Sequence, residues 1–273
     1  MIDYGKRDVL GVLIDALDME AAVERVFSAA RQPVPCAATA LAVHGIVEAG
    51  RDPALRASLN NFDVVLPDGQ PVRWALNLLY GLDLPDKVPG PSLVELLLER
   101  AADEGYPVHF HGSTPQTLDS IRDALAQRFG PRLPVTMAPS RFRKVDGDEL
   151  AQLLGSINET GARLCFVGLG CPRQERFVAA SARQLMMPVL AVGAAFDYLA
   201  GNISRAPGWA QRAGLEWAYR TVQEPRRLAR RYLVTNSAFS AGVARQWGRQ
   251  RLLGRPVDGT SCPLEEAVSL VDA

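Results

Sequence analysis

The stretch 162–177, ARLCFVGLGCPRQERF, decides the fold. Residues 162–168 form a short apolar run, Gly168-Leu169-Gly170 is a glycine turn, and a helical pattern follows from Pro172. A strand feeding a helix through a tight turn is one βα unit. Glycines at such a turn let backbone amides approach a phosphate at the helix N-terminus. They equally serve simple tight packing, and the residues alone leave both readings open. Arg173 occupies the third glycine position of a dinucleotide fingerprint, which argues against an NAD-dependent oxidoreductase.

Outward from this stretch the same alternation covers most of the chain. Strands are expected at 9–13, 34–38, 62–66, 107–111, 134–137, 162–168 and 188–193. Helices are expected at 19–30, 41–59, 70–80, 92–104, 115–128, 148–159 and 172–186. Strands spaced by helical patterns predict βαβ units. Strands apolar on both faces predict helices on both sides of a mostly parallel sheet. The expected class is therefore α/β, Rossmann-like. Thr114-Pro115, Cys171-Pro172 and Glu224-Pro225 each offer proline as a first helical residue.

Beyond Ile203 the strands stop. Residues 205–255 carry eleven arginines against two glutamates, and three of the four tryptophans (Trp209, Trp217, Trp247) lie there. The expected organisation is an α/β core over 1–203, a basic helical C-terminal appendage over 204–255 and a flexible tail over 256–273.

Composition narrows the class. The 273 residues suit one large domain with an appendage, and zero formal net charge gives no global bias toward an acidic partner. No nucleic-acid partner is expected. Lys6, Lys87 and Lys144 are the only lysines among 30 basic residues; the arginines can fork onto phosphate as lysine cannot. Cys36, Cys165, Cys171 and Cys262 have no CxxC or zinc spacing. The start, MIDYGKRDVL, is neither a secretory signal nor a transit peptide. The longest apolar run, 185–201, contains Pro188 and Asp197 and makes a poor membrane span. A cytoplasmic location is expected.

Four further constellations could carry chemistry. Leu66-Pro67-Asp68-Gly69 falls where a strand ends, and ligand crevices lie outside strand carboxyl ends. A carboxylate there can be a general base, or Asp68 can merely cap the next helix. His109 and His111 read as buried, hydrogen-bonded side chains rather than a metal pair. Ser113 could donate to a phosphate, whereas helix capping accounts for Thr114. Asp146-Gly147-Asp148 is a literal DxD, but it precedes a helix, and Glu149 three residues after Asp146 resembles a capping box. No metal is expected there. In EPRRLARRY, Arg226 and Arg230, and Arg227 and Arg231, stack at i,i+4. That repulsion is relieved by a phosphate, a diphosphate or acidic lipid. A basic helix interleaved with aromatics suits a membrane interface, although charge runs are often only solvated faces.

Together these motifs resemble the WecG/TagA/CpsF glycosyltransferases, glycosyltransferase family 26. The resembling segments are LPDGQPVRWALNLLYG, KVPGPSLVELLLERAADEGYPVHFHGSTPQTL, ARLCFVGLGCPRQERF and PVLAVGAAFDYLAGNISRAPGWAQRAGLEWAYRTVQEPRRLARRYL, within roughly residues 8–240. The resemblance implies an inverting, metal-independent transfer without cofactor. The donor is a nucleotide sugar, expected to be UDP-linked, and the acceptor a polyprenyl-diphosphate-linked saccharide at the inner face of the cell membrane. The product enters exopolysaccharide, capsule or another cell-surface polymer. It also implies roles for residues. Asp68 is the catalytic base, Thr39 lies near the donor phosphates, Gln174 is in the pocket and Asp197 is near the nucleoside. Arg220, Arg227 and Arg230 belong to the C-terminal region that closes over the site. Two positions depart from the family pattern. Leu41 replaces an asparagine two residues after the threonine, with His44 one turn further as a stand-in. Ser92 of Gly90-Pro91-Ser92 replaces the aspartate of Gly-x-Asp. Both lie near the donor pocket, so N-acetylmannosamine is not carried over as the donor sugar. They also keep open a non-catalytic nucleotide-binding subunit of a polysaccharide assembly complex. An aromatic tail able to dock on a neighbouring copy leaves a homo-oligomer open.

Overall fold

The structure, a computed structural model, describes residues 1–141, 143, 147–208, 210, 216–223 and 225–253, with side chains left aside at 220, 223 and 225–233. The chain opens with an antiparallel hairpin, β1 (Asp3–Val9) and β2 (Val12–Leu17). Helix α1 (Met19–Arg31) follows, with Asp18 accepting from the Ala21 amide as its N-cap. Then come β3 (Cys36–Leu41), α2 (Val43–Arg51), α3 (Pro53–Asn60), β4 (Val64–Pro67), α4 (Gln70–Tyr80) and α5 (Gly90–Glu104). The second half holds β5 (Val108–Gly112), α6 (Pro115–Phe129), β6 (Val135–Ala138), α7 (Gly147–Glu159), β7 (Leu164–Gly168), α8 (Arg173–Ser181), β8 (Pro188–Ala191) and α9 (Ala194–Leu199). Two C-terminal helices are described, α10 (Glu216–Gln223) and α11 (Pro225–Leu253).

Six strands form one all-parallel sheet in the order β4-β3-β8-β7-β5-β6. Side chains alternate across it with the period of two that strands impose. Ala37, Val65, Cys165, Val167, Val189 and Ala191 face one apolar layer with α2, α3, α4, α7, α8 and part of α11. Cys36, Ala38, Val64, Leu66, Phe166 and Leu190 face the other, with α1, α5, α6 and α9. Helices on both faces explain why these strands lack polar alternation. Cys36 and Cys165 are buried thiols whose burial pushes each up to about 12.

Three expectations change. The run 9–13 is not one strand: it holds the end of β1, the hairpin turn and the start of β2, with Leu10 and Gly11 at φ of 56° and 87°, the left-handed pair of a tight turn. The helical pattern at 41–59 is two helices, because β3 runs to Leu41 and Asp52-Pro53 starts a new one. Asp52 accepts there from the Ala54 and Leu55 amides. Pro172 is the N-cap of α8 rather than its first residue.

The hairpin seals the β4 edge. Asp15, 1% exposed, accepts from the Val65 amide at 2.7 Å and pairs with Lys6 and Arg25. A buried carboxylate is tolerable only with such partners. The far half of α11 rests on the same hairpin. Gln246 takes the Leu10 amide at 2.9 Å and donates to the Asp8 carbonyl at 3.0 Å, while Phe239 and Val243 are buried. Among the described residues no helix is long and apolar enough to cross a membrane.

Candidate active site

The carboxyl ends of β3, β4, β5, β7 and β8 open into a cleft of about 640 Å³. Its position follows from the topology. After β3 the chain turns to one face of the sheet, into α2; after the neighbouring β8 it turns to the other, into α9. Adjacent strands that send their connections to opposite faces leave a crevice at their carboxyl ends.

Asp68 lies at the exit of β4 and lines the cleft, half-buried. The N-cap position of α4 is Gly69, so the capping role falls one residue away from Asp68. The loop 86–90 lies against it: the Val88 amide donates to the Pro67 carbonyl at 3.0 Å, and a Cβ on Gly90 would sit 3.9 Å from Asp68 Oδ2.

Another wall is built from α8 and its glycine turn. Gln174 is buried and lines the cleft; its Oε1 accepts from the Gly193 amide at 3.0 Å, and its Nε2 donates to Glu175 Oε1 at 2.9 Å. A Cβ on Gly193 would meet Gln174 Oε1 at 2.4 Å, so glycine there leaves room for the Gln174 amide to keep its bond to the Gly193 N–H. Gly168 is similarly required, since a Cβ would fall 2.7 Å from the Phe196 ring. In the glycine turn, packing accounts for Gly168 and a left-handed φ of 77° for Gly170, while Gly168, Leu169 and Gly170 line the cleft.

Thr39 stands behind this wall rather than on it. It is 1% exposed, and its hydroxyl donates to Glu175 Oε1 and to the Ala191 carbonyl, both at 3.4 Å. Thr39, Gln174 and Glu175 form one buried polar network joining β3, α8 and the β8–α9 turn. Burial pushes the Glu175 carboxyl above its usual range; bonds from Gln174, Cys171 and Thr39 pull the other way.

The other candidates separate clearly. His44, in the first turn of α2, lines the cleft with Nδ1 4.0 Å from Glu48. Asp197 on α9 also lines it, as do Leu41 and Ser92, the two departures from the family pattern. Arg220 lies in α10, and Arg227 and Arg230 in α11; their side chains lie outside the described residues. Asp146 lies outside them too. Asp148 is exposed at the start of α7, and Glu149 pairs with Arg141 and Arg143. His109 bonds Thr136 at 2.8 Å, and His111 stacks on Phe177 at 4.6 Å. Burial pushes both imidazoles down to about 4, so they are neutral at ordinary pH. The expected hydrogen bond is made by His109 through Nδ1; among the described residues His109 Nε2 and His111 Nδ1 find no partner. Thr114 caps α6 through the Thr117 amide at 3.2 Å and still borders the cleft beside Ser113.

Several lining groups were not singled out from sequence. Arg173 brings an exposed guanidinium to the start of α8, and Arg205 lines the cleft while paired with Glu95 at 2.7 Å. Glu216, Trp217 and Asn236 reach it from the C-terminal helices. Arg173 had a local signal, a cation directly after a glycine turn. The last three depend on long-range folding; Glu216 and Trp217 lay in a segment that carries the family resemblance, and Asn236 had no signal.

Such a cleft is lined by a carboxylate, by a glycine turn flanked by a guanidinium, and by an aromatic ring from the C-terminal helices. That combination suits a hydroxyl nucleophile opposite a phosphorylated leaving group. A family model for the Glycosyl transferase WecG/TagA/CpsF family matches residues 7–252, which is most of the chain. The chain therefore belongs to the WecG/TagA/CpsF glycosyltransferase family, whose reaction joins a nucleotide-sugar donor to a saccharide acceptor.

Proposed function

We propose that this protein is an inverting, metal-independent glycosyltransferase that moves a sugar from a UDP-linked donor to a polyprenyl-diphosphate-linked saccharide. The observation that carries this reading is the position of Asp68, at a strand exit in the same cleft that the Gly168–Gln174 turn lines. In the proposed step Asp68 takes the proton of the acceptor hydroxyl. The hydroxyl oxygen then forms its bond to the anomeric carbon as the bond from that carbon to the diphosphate oxygen breaks. The electron pair leaves with the nucleoside diphosphate. Guanidinium groups are suited to that developing charge. Arg173 is available at the cleft, and Arg220, Arg227 and Arg230 are assigned the same task when the C-terminal helices cover the donor.

The basic stretch 204–255 is assigned to the inner membrane face, where the acceptor resides. Its eleven arginines favour anionic headgroups, and the product enters exopolysaccharide, capsule or a related cell-surface polymer. The test is a screen of UDP-sugars against a lipid-diphosphate saccharide analogue, with and without EDTA. Transfer that survives EDTA is expected. Donor binding with no turnover would favour a nucleotide-binding subunit, and rescue of a lost rate by manganese would return attention to Asp146 and Asp148.

A further inference from the structure

Lys87 is one of three lysines in the chain, and it is 6% exposed. A buried ammonium needs compensation. Lys87 forms an ion pair with Glu216, the first described residue of α10. It follows Asp86, whose Oδ1 accepts from the Lys87 amide at 2.8 Å and from Gln70 Nε2 at 3.1 Å. One residue further, the Val88 amide is bonded to the Pro67 carbonyl, which fixes the loop beside the strand exit that carries Asp68. Burial lowers the Lys87 ammonium from the usual lysine value, and the Asp68 and Asp86 carboxylates counter that shift. Asp68 and Glu216 both line the cleft, one from the sheet and one from the C-terminal helices.

We propose that Lys87 is a positioning residue that joins the C-terminal helix α10 to the base: its ammonium holds Glu216 at the cleft rim while it steadies the Asp68 carboxylate from behind the wall. The proposal rests on the reading of Asp68 as the base. Its consequence is that seating of α10 and alignment of Asp68 share one cation. A donor that draws α10 over the cleft then meets a carboxylate already oriented for the acceptor hydroxyl. A lysine serves this task because its ammonium is a compact charge with three donors and can face two carboxylates at once.

The test uses the full chain, four variants and two readouts. The variants are Lys87→Met, Glu216→Gln, the charge swap Lys87→Glu with Glu216→Lys, and Asp68→Asn. The readouts are hydrogen–deuterium exchange over 216–223 and steady-state transfer from a UDP-sugar to a lipid-diphosphate saccharide. Glu216→Gln is expected to raise exchange over 216–223 by about tenfold and to raise the donor KM more than it lowers kcat. Lys87→Met is expected to give the same exchange increase and a kcat about tenfold below that of Glu216→Gln. The swap restores protection of 216–223 but not kcat, because it sets a carboxylate beside Asp68. Unchanged exchange in Glu216→Gln would overturn the anchoring role. Equal kcat in Lys87→Met and Glu216→Gln, or recovery of kcat in the swap, would overturn the positioning role. Glu216 is about one-third exposed, so its variant keeps the exchange arm readable if Lys87→Met does not fold. Wild-type turnover in Asp68→Asn would remove the base, and the kcat half of the proposal with it, while the exchange arm still judges the anchor.

Discussion

The two rims of the cleft are built differently. The sheet rim is backed by a buried network in which Thr39, Gln174, Glu175 and the Gly193 amide tie three elements together. The C-terminal rim reaches the cleft through Glu216, Trp217 and Asn236; Trp217 is 45% exposed, and Glu216 is pinned to Lys87. One rim is part of the core and the other rests upon it. The difference suits a division of labour, with chemistry on the sheet rim and capture of donor and membrane on the C-terminal rim.

The largest effect that would sharpen this contrast is expected at Asp68. Asp68→Asn should lower kcat by about 10³-fold and lower the thermal midpoint only as far as the lost compensation of Lys87 requires; a variant that no longer folds would mean that Asp68 serves the fold. Next is the capture side. Replacing Arg226, Arg227, Arg230 and Arg231 with glutamine should weaken binding to anionic vesicles by about 1 kcal/mol per charge. It should not touch the docked half of α11, where Phe239, Val243 and Gln246 meet the hairpin. Undiminished vesicle flotation would break the division. A smaller effect is expected behind the sheet rim. Gln174→Ala strands the Gly193 amide and removes a donor from Glu175, which should cost about 2 kcal/mol in chemical denaturation. An unchanged midpoint would show that the network is not structural.

The last effect concerns pH. His109 and His111 titrate near 4 in the folded chain because burial disfavours their charged forms. The unfolded chain therefore binds more protons below about pH 6.5. Stability should fall as pH drops from there toward 4 and level off below it. His111→Phe keeps the contact with Phe177 and should flatten the decline; an unaltered slope would assign the acid sensitivity elsewhere.

Much of the sheet was legible because its signals are local. Each strand is a short apolar run, and Asp68 stands at the exit of one of them. The hairpin turn was hidden because Gly11 sits within Val9-Leu10-Gly11-Val12-Leu13, where apolar neighbours mask a left-handed pair. The break between α2 and α3 was hidden by continuous helical periodicity, although Asp52-Pro53 marked it. Thr39 was expected near the donor phosphates. Its place behind the wall follows from its register opposite Ala191, which no local pattern reveals. Lys87 and Glu216 lie far apart in the chain and meet only through tertiary folding.

The most direct measurement of the central claim is the anomeric configuration of the transferred sugar, read by NMR on product made from an α-linked UDP-sugar and a lipid-diphosphate saccharide. Single displacement assisted by Asp68 predicts a β-linked product from the wild-type chain and almost none from Asp68→Asn. An α-linked product, or equal yields from the two proteins, would contradict it.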